Sequence, residues 1–163
     1  MQSPIRVHTA SVVGLILVLA SGVGLSQTQK PAAPPTHVVV PASQVKFDPI
    51  DVPGFDSGMK IAVIYGDPNA QTGSYVIRLA FPDGYRFPPH WHPMAENVTV
   101  LEGKFSLGMG ATRDDKKLAV YSPGAFAHIA PRSPHFGGAT GATVIQLHGS
   151  APFKIELAKP AGK

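Results

Sequence analysis

The segment "GYRFPPHWHPMAENVTVLEG", residues 84–103, is bounded by glycines and holds two histidines and a glutamate close together. His90 and His92 are two residues apart, so on an extended strand both imidazoles point to one face and Trp91 points to the other. Three prolines around the pair stiffen the backbone, which keeps the two rings preorganised. The spacing therefore favours a pair of metal ligands. The alternative is a polar turn whose two histidines are exposed.

Glu96 follows after a short bend and opens the strand "ENVTVLEG", on which it shares a face with Val98 and Val100. A carboxylate at the head of an otherwise apolar face is costly to bury alone. A divalent cation bound also to two neutral histidines would be a suitable partner.

A third histidine strengthens the case for a metal site. The segment "SPGAFAHIAPRSPHFGG", residues 122–138, predicts a strand, a proline-bounded turn and then His135 at the start of the next strand. The chain has no cysteine, so thiolate ligands and disulfides are excluded. His90, His92, Glu96 and His135 would form a mixed nitrogen and oxygen site, suited to Mn, Fe, Ni, Co, Cu or Zn rather than Ca or Mg.

The rest of the chain, from about residue 45, predicts an all-β fold. Seventeen glycines and seventeen prolines separate short apolar runs, and no helical period competes with them. About eight such strands joined by tight turns indicate an antiparallel sandwich or barrel over residues 45–158, followed by a tail at 159–163. The predicted strands are 60–65, 74–81, 97–102, 104–109, 117–121, 125–130, 142–148 and 153–157.

The N-terminus predicts an export signal. Arg6 precedes the apolar block 12–20, and small residues follow it. The apolar stretch has about 14 residues, fewer than the roughly 18 needed to span a membrane, which disfavours an uncleaved anchor. We therefore expect a signal peptide at 1–26, a Pro/Ala-rich linker at 27–44, and a periplasmic or secreted protein.

The charge pattern excludes one class of partner. The formal net charge is +4, and its basic residues are scattered rather than arranged in a stripe. Nucleic-acid binding is therefore not expected. After signal cleavage no membrane association is expected either.

The segment 84–103 resembles a known family. Its pattern G-x5-H-x-H-x3-E-x6-G has the residues and spacings of the first motif of the cupin superfamily. The second motif, G-x5-P-x-G-x2-H-x3-N, is met in part, since Gly124 and His135 stand at the right separation. Ala130, Arg132 and Ala139 replace its proline, second glycine and asparagine. The chain looks most like small exported single-domain cupins.

The resemblance implies a jelly-roll β-barrel with a metal inside one end, held by His90, His92, Glu96 and His135. It also implies that a homodimer is a reasonable expectation. A metal-dependent, dioxygenase-like oxidoreductase is the first functional hypothesis, in which Glu96 could act as a base; an isomerase or lyase would use the same metal as a Lewis acid. A non-catalytic module that binds or senses a small ligand is the second hypothesis, and a cupin that has lost its metal is the third.

Three other polar residues could lie near the site. Gln146 and His148 share a face with Val144, and if that face is internal they would line the pocket or support the ligands. If it is not, their role is structural. His128 is expected to be a packed or rim residue rather than a ligand. Aromatic and methionine residues beside the motifs are expected in the strand core, with one or two at the mouth of an apolar pocket: Tyr85, Phe87, Trp91, Met94 and Phe136.

Overall fold

The computed structural model describes residues 37–159, and this part of the chain is all-β. The predicted signal peptide at 1–26, the linker up to residue 36 and the last four residues lie outside the described range. Within residues 37–159, no helix is long and apolar enough to cross a membrane.

Nine strands and two short 3-10 helices make up the described chain. The helices are Ala42–Gln44 and Asp115–Lys117. The strands are β1 (Asp48–Pro49), β2 (Lys60–Tyr65), β3 (Ser74–Phe81), β4 (Arg86–Trp91), β5 (Glu96–Met109), β6 (Ala119–Tyr121), β7 (Phe126–Ile129), β8 (His135–Ser150) and β9 (Glu156–Leu157).

The strands pair antiparallel in the order β1-β2-β3-β8-β4-β9, and β5 pairs with β6, β7 and β8. They curl into a half-barrel whose inner face carries the apolar side chains. Strand β3 shows why: Tyr75, Ile77, Leu79 and Phe81 alternate with half-buried residues and are all buried. An alternating strand of this kind places one face in the core and one towards solvent.

Residues 97–109 form one strand, and the prediction of two strands with a turn between them is wrong. The register against β8 shifts on both sides of Glu102, and Gly103 adopts φ +73°. These irregularities are β-bulges, so the strand bends instead of ending. The bulge also changes which side chains point inward, from Val98 and Val100 before it to Phe105 and Leu107 after it.

The other strand boundaries differ from the predicted ones where the apolar runs do not coincide with the strands. Strand β4 was not among the eight predicted strands because its sequence RFPPHW is not an apolar run, and the short β1 was also missed. Strand β8 begins at His135, as predicted, but it continues without interruption to Ser150. The predicted strands at 117–121, 125–130 and 153–157 are shorter in the structure.

Candidate metal centre

Three neighbouring strands bring the four predicted ligands together. His90 lies at the end of β4 and faces His135, the first residue of β8, across the sheet. His92 follows β4 directly, and Glu96 is the first residue of β5. All four side chains are buried and line one cavity.

Each histidine ring is oriented by a backbone carbonyl. The Nδ1 atom of His90 lies 2.9 Å from the oxygen of Pro88, that of His92 lies 2.7 Å from Lys154, and that of His135 lies 3.0 Å from Ser133. A carbonyl oxygen only accepts, so each Nδ1 carries the proton and donates it. The Nε2 atom of each neutral ring is then a free base, which is the form that binds metal ions.

The unprotonated ring atoms face one another and the Glu96 carboxylate. The ligand atoms of the three histidines lie within 4.8 Å of one another, so these side chains could hold a metal ion. The Nε2 atoms of His92 and His135 are 3.6 Å and 3.4 Å from the oxygens of Glu96. His92 Nε2 is buried and has no hydrogen-bond partner. Lone pairs and a carboxylate in such proximity require a proton or a cation between them, so the residues fit a metal ion.

The pKa values agree with neutral rings beside an ionised carboxylate. Burial, aided by the nearby His135, lowers the pKa of His90 to about 3, and burial also lowers the pKa of His92. Burial alone would raise the pKa of Glu96, but the neighbouring imidazoles of His135 and His92 outweigh it and lower that pKa. At neutral pH the group can therefore accept a divalent cation without first releasing protons from His90 or His92.

The metal-free protein is expected to lose stability as the pH falls from 7.5 to 5. The unfolded chain binds more protons below pH 6.5, the ordinary pKa of histidine, because folded His90 has a pKa of about 3. Well above pH 6.5 this group does not change the free energy of unfolding, and at pH 5 it lowers that free energy by about 2 kcal/mol. Glu96 acts in the same direction below its ordinary pKa of 4.5. Urea unfolding in the presence of a chelator measures the effect.

The variant His90→Asn is the comparison for this titration. It should show a smaller loss of unfolding free energy between pH 7.5 and 5 than the unmodified protein. An equal loss in both proteins would contradict the assignment of this pH dependence to His90.

The turn before His135 contains a residue with a positive φ at the position where the second motif has its second glycine. Arg132 stands where the motif has a glycine, and it adopts φ +58°. Its backbone N–H donates to the oxygen of His92 at 2.8 Å, which ties this turn to the end of β4. A left-handed residue other than glycine costs about 1 to 2 kcal/mol, so the turn tolerates Arg132 at some strain.

The structure places Gln146 and His148 outside the cavity. In the second half of β8, Ile145 and Leu147 line the cavity, so Gln146 and His148 point to the outer face. Gln146 accepts a hydrogen bond there from Arg78. The prediction that Gln146 and His148 line the pocket, which depended on an internal face, therefore does not hold.

His128 also lies on the outer surface. Its Nδ1 atom is 2.8 Å from the side-chain oxygen of Asn97. Of the aromatic and methionine residues beside the motifs, Phe87 alone lines the cavity, while Tyr85 and Phe136 are buried elsewhere.

Sequence reasoning missed three residues that contact or support the site. The ring of Phe55 lies edge-on to His90 at 5.0 Å, and the ring of Phe153 stacks on His92 at 4.9 Å. The guanidinium of Arg113 donates to the carbonyls of Phe87 and Gly137. Phe87 is followed by two prolines, which have no backbone N–H to donate. Phe55 and Phe153 are far from the motifs in the sequence, and no local pattern identifies them.

The half-barrel of antiparallel strands is consistent with the cupin fold, and three buried histidines that could hold a metal ion are typical of cupins. The chain belongs to the ChrR cupin-like domain family, whose profile matches residues 36–137. A comparison with curated proteins gave no significant match.

Solved structures share the fold at low sequence identity. The polyketide cyclase RemF from Streptomyces resistomycificus is 18% identical, with a TM-score of 0.62 over 77% of this chain and 87% of its own. A candidate acetylacetone dioxygenase from Methylibium petroleiphilum is 13% identical, with a TM-score of 0.58 over 80% of this chain and 90% of its own. A cupin-2 domain from Rhodospirillum rubrum is 17% identical, with a TM-score of 0.57 over 80% and 85%. At these sequence identities, the similarity is evidence for a shared fold and for nothing further.

Proposed function

We propose that this protein is an exported, metal-dependent cupin in which His90, His92, Glu96 and His135 hold one divalent transition metal ion. We further propose that it acts on a small organic molecule as a dioxygenase-like oxidoreductase. The observation that carries the proposal is the convergence of three buried histidines, each with its Nδ1 atom bound to a carbonyl, while Glu96 lies beside His92 and His135.

The chemistry of the donor atoms limits which metal ions the site would prefer. Three imidazoles and one carboxylate favour Mn, Fe, Co, Ni, Cu or Zn over Ca or Mg, which prefer oxygen ligands. Such an ion, when bound, would supply a Lewis acid or a redox centre. The protein residues hold it, shield it from water and place Glu96 where its carboxylate could accept a proton from a bound molecule.

Two neighbours in fold support chemistry on small organic molecules. One is a polyketide cyclase and the other a candidate acetylacetone dioxygenase. Both are similar to this chain over more than three quarters of its length, but their low identity makes them support for the class of ligand only.

The proposal also includes features that the sequence predicts. The half-barrel would belong to a closed jelly roll, as in other cupins, and the signal peptide at 1–26 would direct the protein to the periplasm or the medium. Detection of the processed chain outside the cytoplasm, with its first residue read by mass spectrometry, tests export.

A second candidate function is non-catalytic binding or sensing of a small ligand. One observation favours it: among the described residues that line the cavity, Glu96 and the three histidines are the only side chains that could act as an acid or a base. A catalyst that needs a separate acid and base would have to find both within this group.

Metal analysis combined with oxygen uptake tests the proposal. Protein purified from its native compartment is expected to contain one transition metal ion per chain, since recombinant cytoplasmic protein could acquire a different ion. Oxygen uptake is then measured with catechols, flavonols and small diketones, before and after treatment with a chelator. Uptake that requires both the metal and Glu96, tested as Glu96→Gln, supports the oxidoreductase.

The other outcomes are equally decisive. A bound metal ion without uptake of oxygen would contradict the oxidoreductase and favour the binding module. Protein that contains no metal and takes up none would contradict the proposed function as a whole.

A further inference from the structure

The cavity beside the metal ligands has almost entirely apolar walls. Its volume is about 410 Å³, and apart from the four proposed ligands and Asn69, every residue that lines it is apolar. Leu79, Ile145 and Leu147 come from the central strands β3 and β8, and Val98 comes from β5. These side chains all project from the inner face of the half-barrel.

The size of the cavity is that of a ligand site. Protein interiors normally pack with few voids larger than a water molecule. A space of about 410 Å³ lies near the lower end of the range for small-molecule pockets. At its rim, Val63 lines the cavity and is still 54% exposed, so apolar surface continues from the interior to the opening.

Aromatic rings surround the histidines on the cavity side. Phe55 and Phe87 lie edge-on to His90, at 5.0 Å and 5.5 Å between ring centres. Phe153 stacks on His92. Aromatic pairs prefer such edge-to-face and offset contacts, so a planar ring placed beside the metal ligands would find complementary partners.

No lysine or arginine side chain lines the cavity within the described residues. Glu96 is the only acidic side chain there, and the three histidines are the only other ionisable groups. A negatively charged ligand would lose hydration without gaining a partner on the walls. A sugar or other polyol would bury several hydroxyl groups against walls that offer only the Asn69 amide, at the exposed mouth, as a partner.

We propose that the ligand of this cavity is a small, neutral, largely aromatic molecule with one polar oxygen, such as a substituted phenol. The apolar walls and the three phenylalanine rings bind its hydrocarbon part. Its oxygen points to the histidines and Glu96, and this orientation rests on the proposed function. The same walls disfavour carboxylic acids and sugars.

A matched pair of probes tests the charge preference. 4-Propylphenol and 3-(4-hydroxyphenyl)propanoate are similar in size, but the second carries a carboxylate, and both phenols remain neutral at pH 7. Isothermal titration calorimetry is carried out on metal-free protein, since a bound zinc ion would itself attract the carboxylate. We expect 4-propylphenol to bind at least about tenfold more tightly than the propanoate, because burial of an unpaired charge is costly.

A matched pair of variants tests whether the cavity is the binding site. Val63→Asp introduces a charge at the rim, where exposure keeps the variant folded, and should raise the Kd for 4-propylphenol by about fivefold or more. Val120→Asp is the control, since Val120 is 62% exposed on β6 and does not line the cavity. It should leave the Kd unchanged.

The outcomes separate this inference from the proposed function. Tighter binding of the propanoate, absence of binding by both probes, or equal effects of the two variants would overturn the inference even if zinc binds at one ion per chain. Absence of zinc binding with the phenol preference retained would contradict the metal site and leave the inference intact.

Discussion

His135→Ala is expected to lower the affinity for Zn²⁺ by at least about a hundredfold, since loss of even a group that supports a ligand costs about 10- to 100-fold. His135 is buried at the start of β8, and its Nε2 atom faces those of His90 and His92. Without it the site keeps two imidazoles and one carboxylate, and the turn at Ser133 no longer orients a ligand. Competition with a chromogenic chelator measures the affinity.

His148→Ala is the matched control for this prediction. His148 lies on the same strand but on the outer face, where its ring is 6.4 Å from that of Phe126. Its replacement should leave zinc affinity within about twofold of the original, because no ligand or supporting carbonyl is changed. Circular dichroism of both metal-free variants establishes that they are folded. Equal losses of affinity, or zinc retained by His135→Ala, would contradict the assignment of His135 as a ligand.

Gly103→Ala is expected to lower the free energy of unfolding by about 3 to 5 kcal/mol. Gly103 adopts φ +73° at the bulge of β5, where a side chain is strained. An added Cβ atom would also collide with the backbone oxygen of Ala142 and with the hydroxyl of Thr143. That hydroxyl accepts a hydrogen bond from the backbone N–H of Lys104, so it cannot move without loss of this contact. Urea unfolding of the metal-free protein measures the change.

Gly84→Ala separates the effect of the backbone from that of the collision. Gly84 has almost the same φ, +74°, but an added Cβ atom would meet nothing within 4 Å. Its replacement should cost only about 1 to 2 kcal/mol, the price of a left-handed residue other than glycine. If the two variants lose equal stability, the close packing of Gly103 against β8 is not the reason that this position requires glycine.

Much of the candidate metal centre could be predicted from local spacing. The two-residue separation of His90 and His92 placed both rings on one face, and the start of a strand placed Glu96 at the head of an apolar face. The structure brings these side chains together with His135, which the proline-bounded turn predicted at the start of a strand. Each of these statements depends on the conformation of a few consecutive residues, which the side-chain sequence largely specifies.

Local spacing failed where the chain departs from regular alternation. The segment "LEGK" has the composition of a turn, yet Gly103 lies in a bulge and β5 continues through it. The inner face of β8 could not be assigned from the sequence because Val144 and Ile145 are both apolar. Only the packing of β8 against β3 and β5 decides that Ile145 and Leu147 face the cavity while Gln146 and His148 face outward.

The sequence by itself determined the all-β class, the cupin resemblance and the group of four candidate ligands, because each follows from the spacing of residues within short segments. The tertiary structure alone decided what surrounds that group. Phe55 and Phe153 reach the histidines from opposite ends of the described chain, and a backbone carbonyl at Lys154 orients His92. The apolar cavity exists only because distant strands curl around a common interior, and contacts between residues so far apart in the chain leave no local pattern in the sequence.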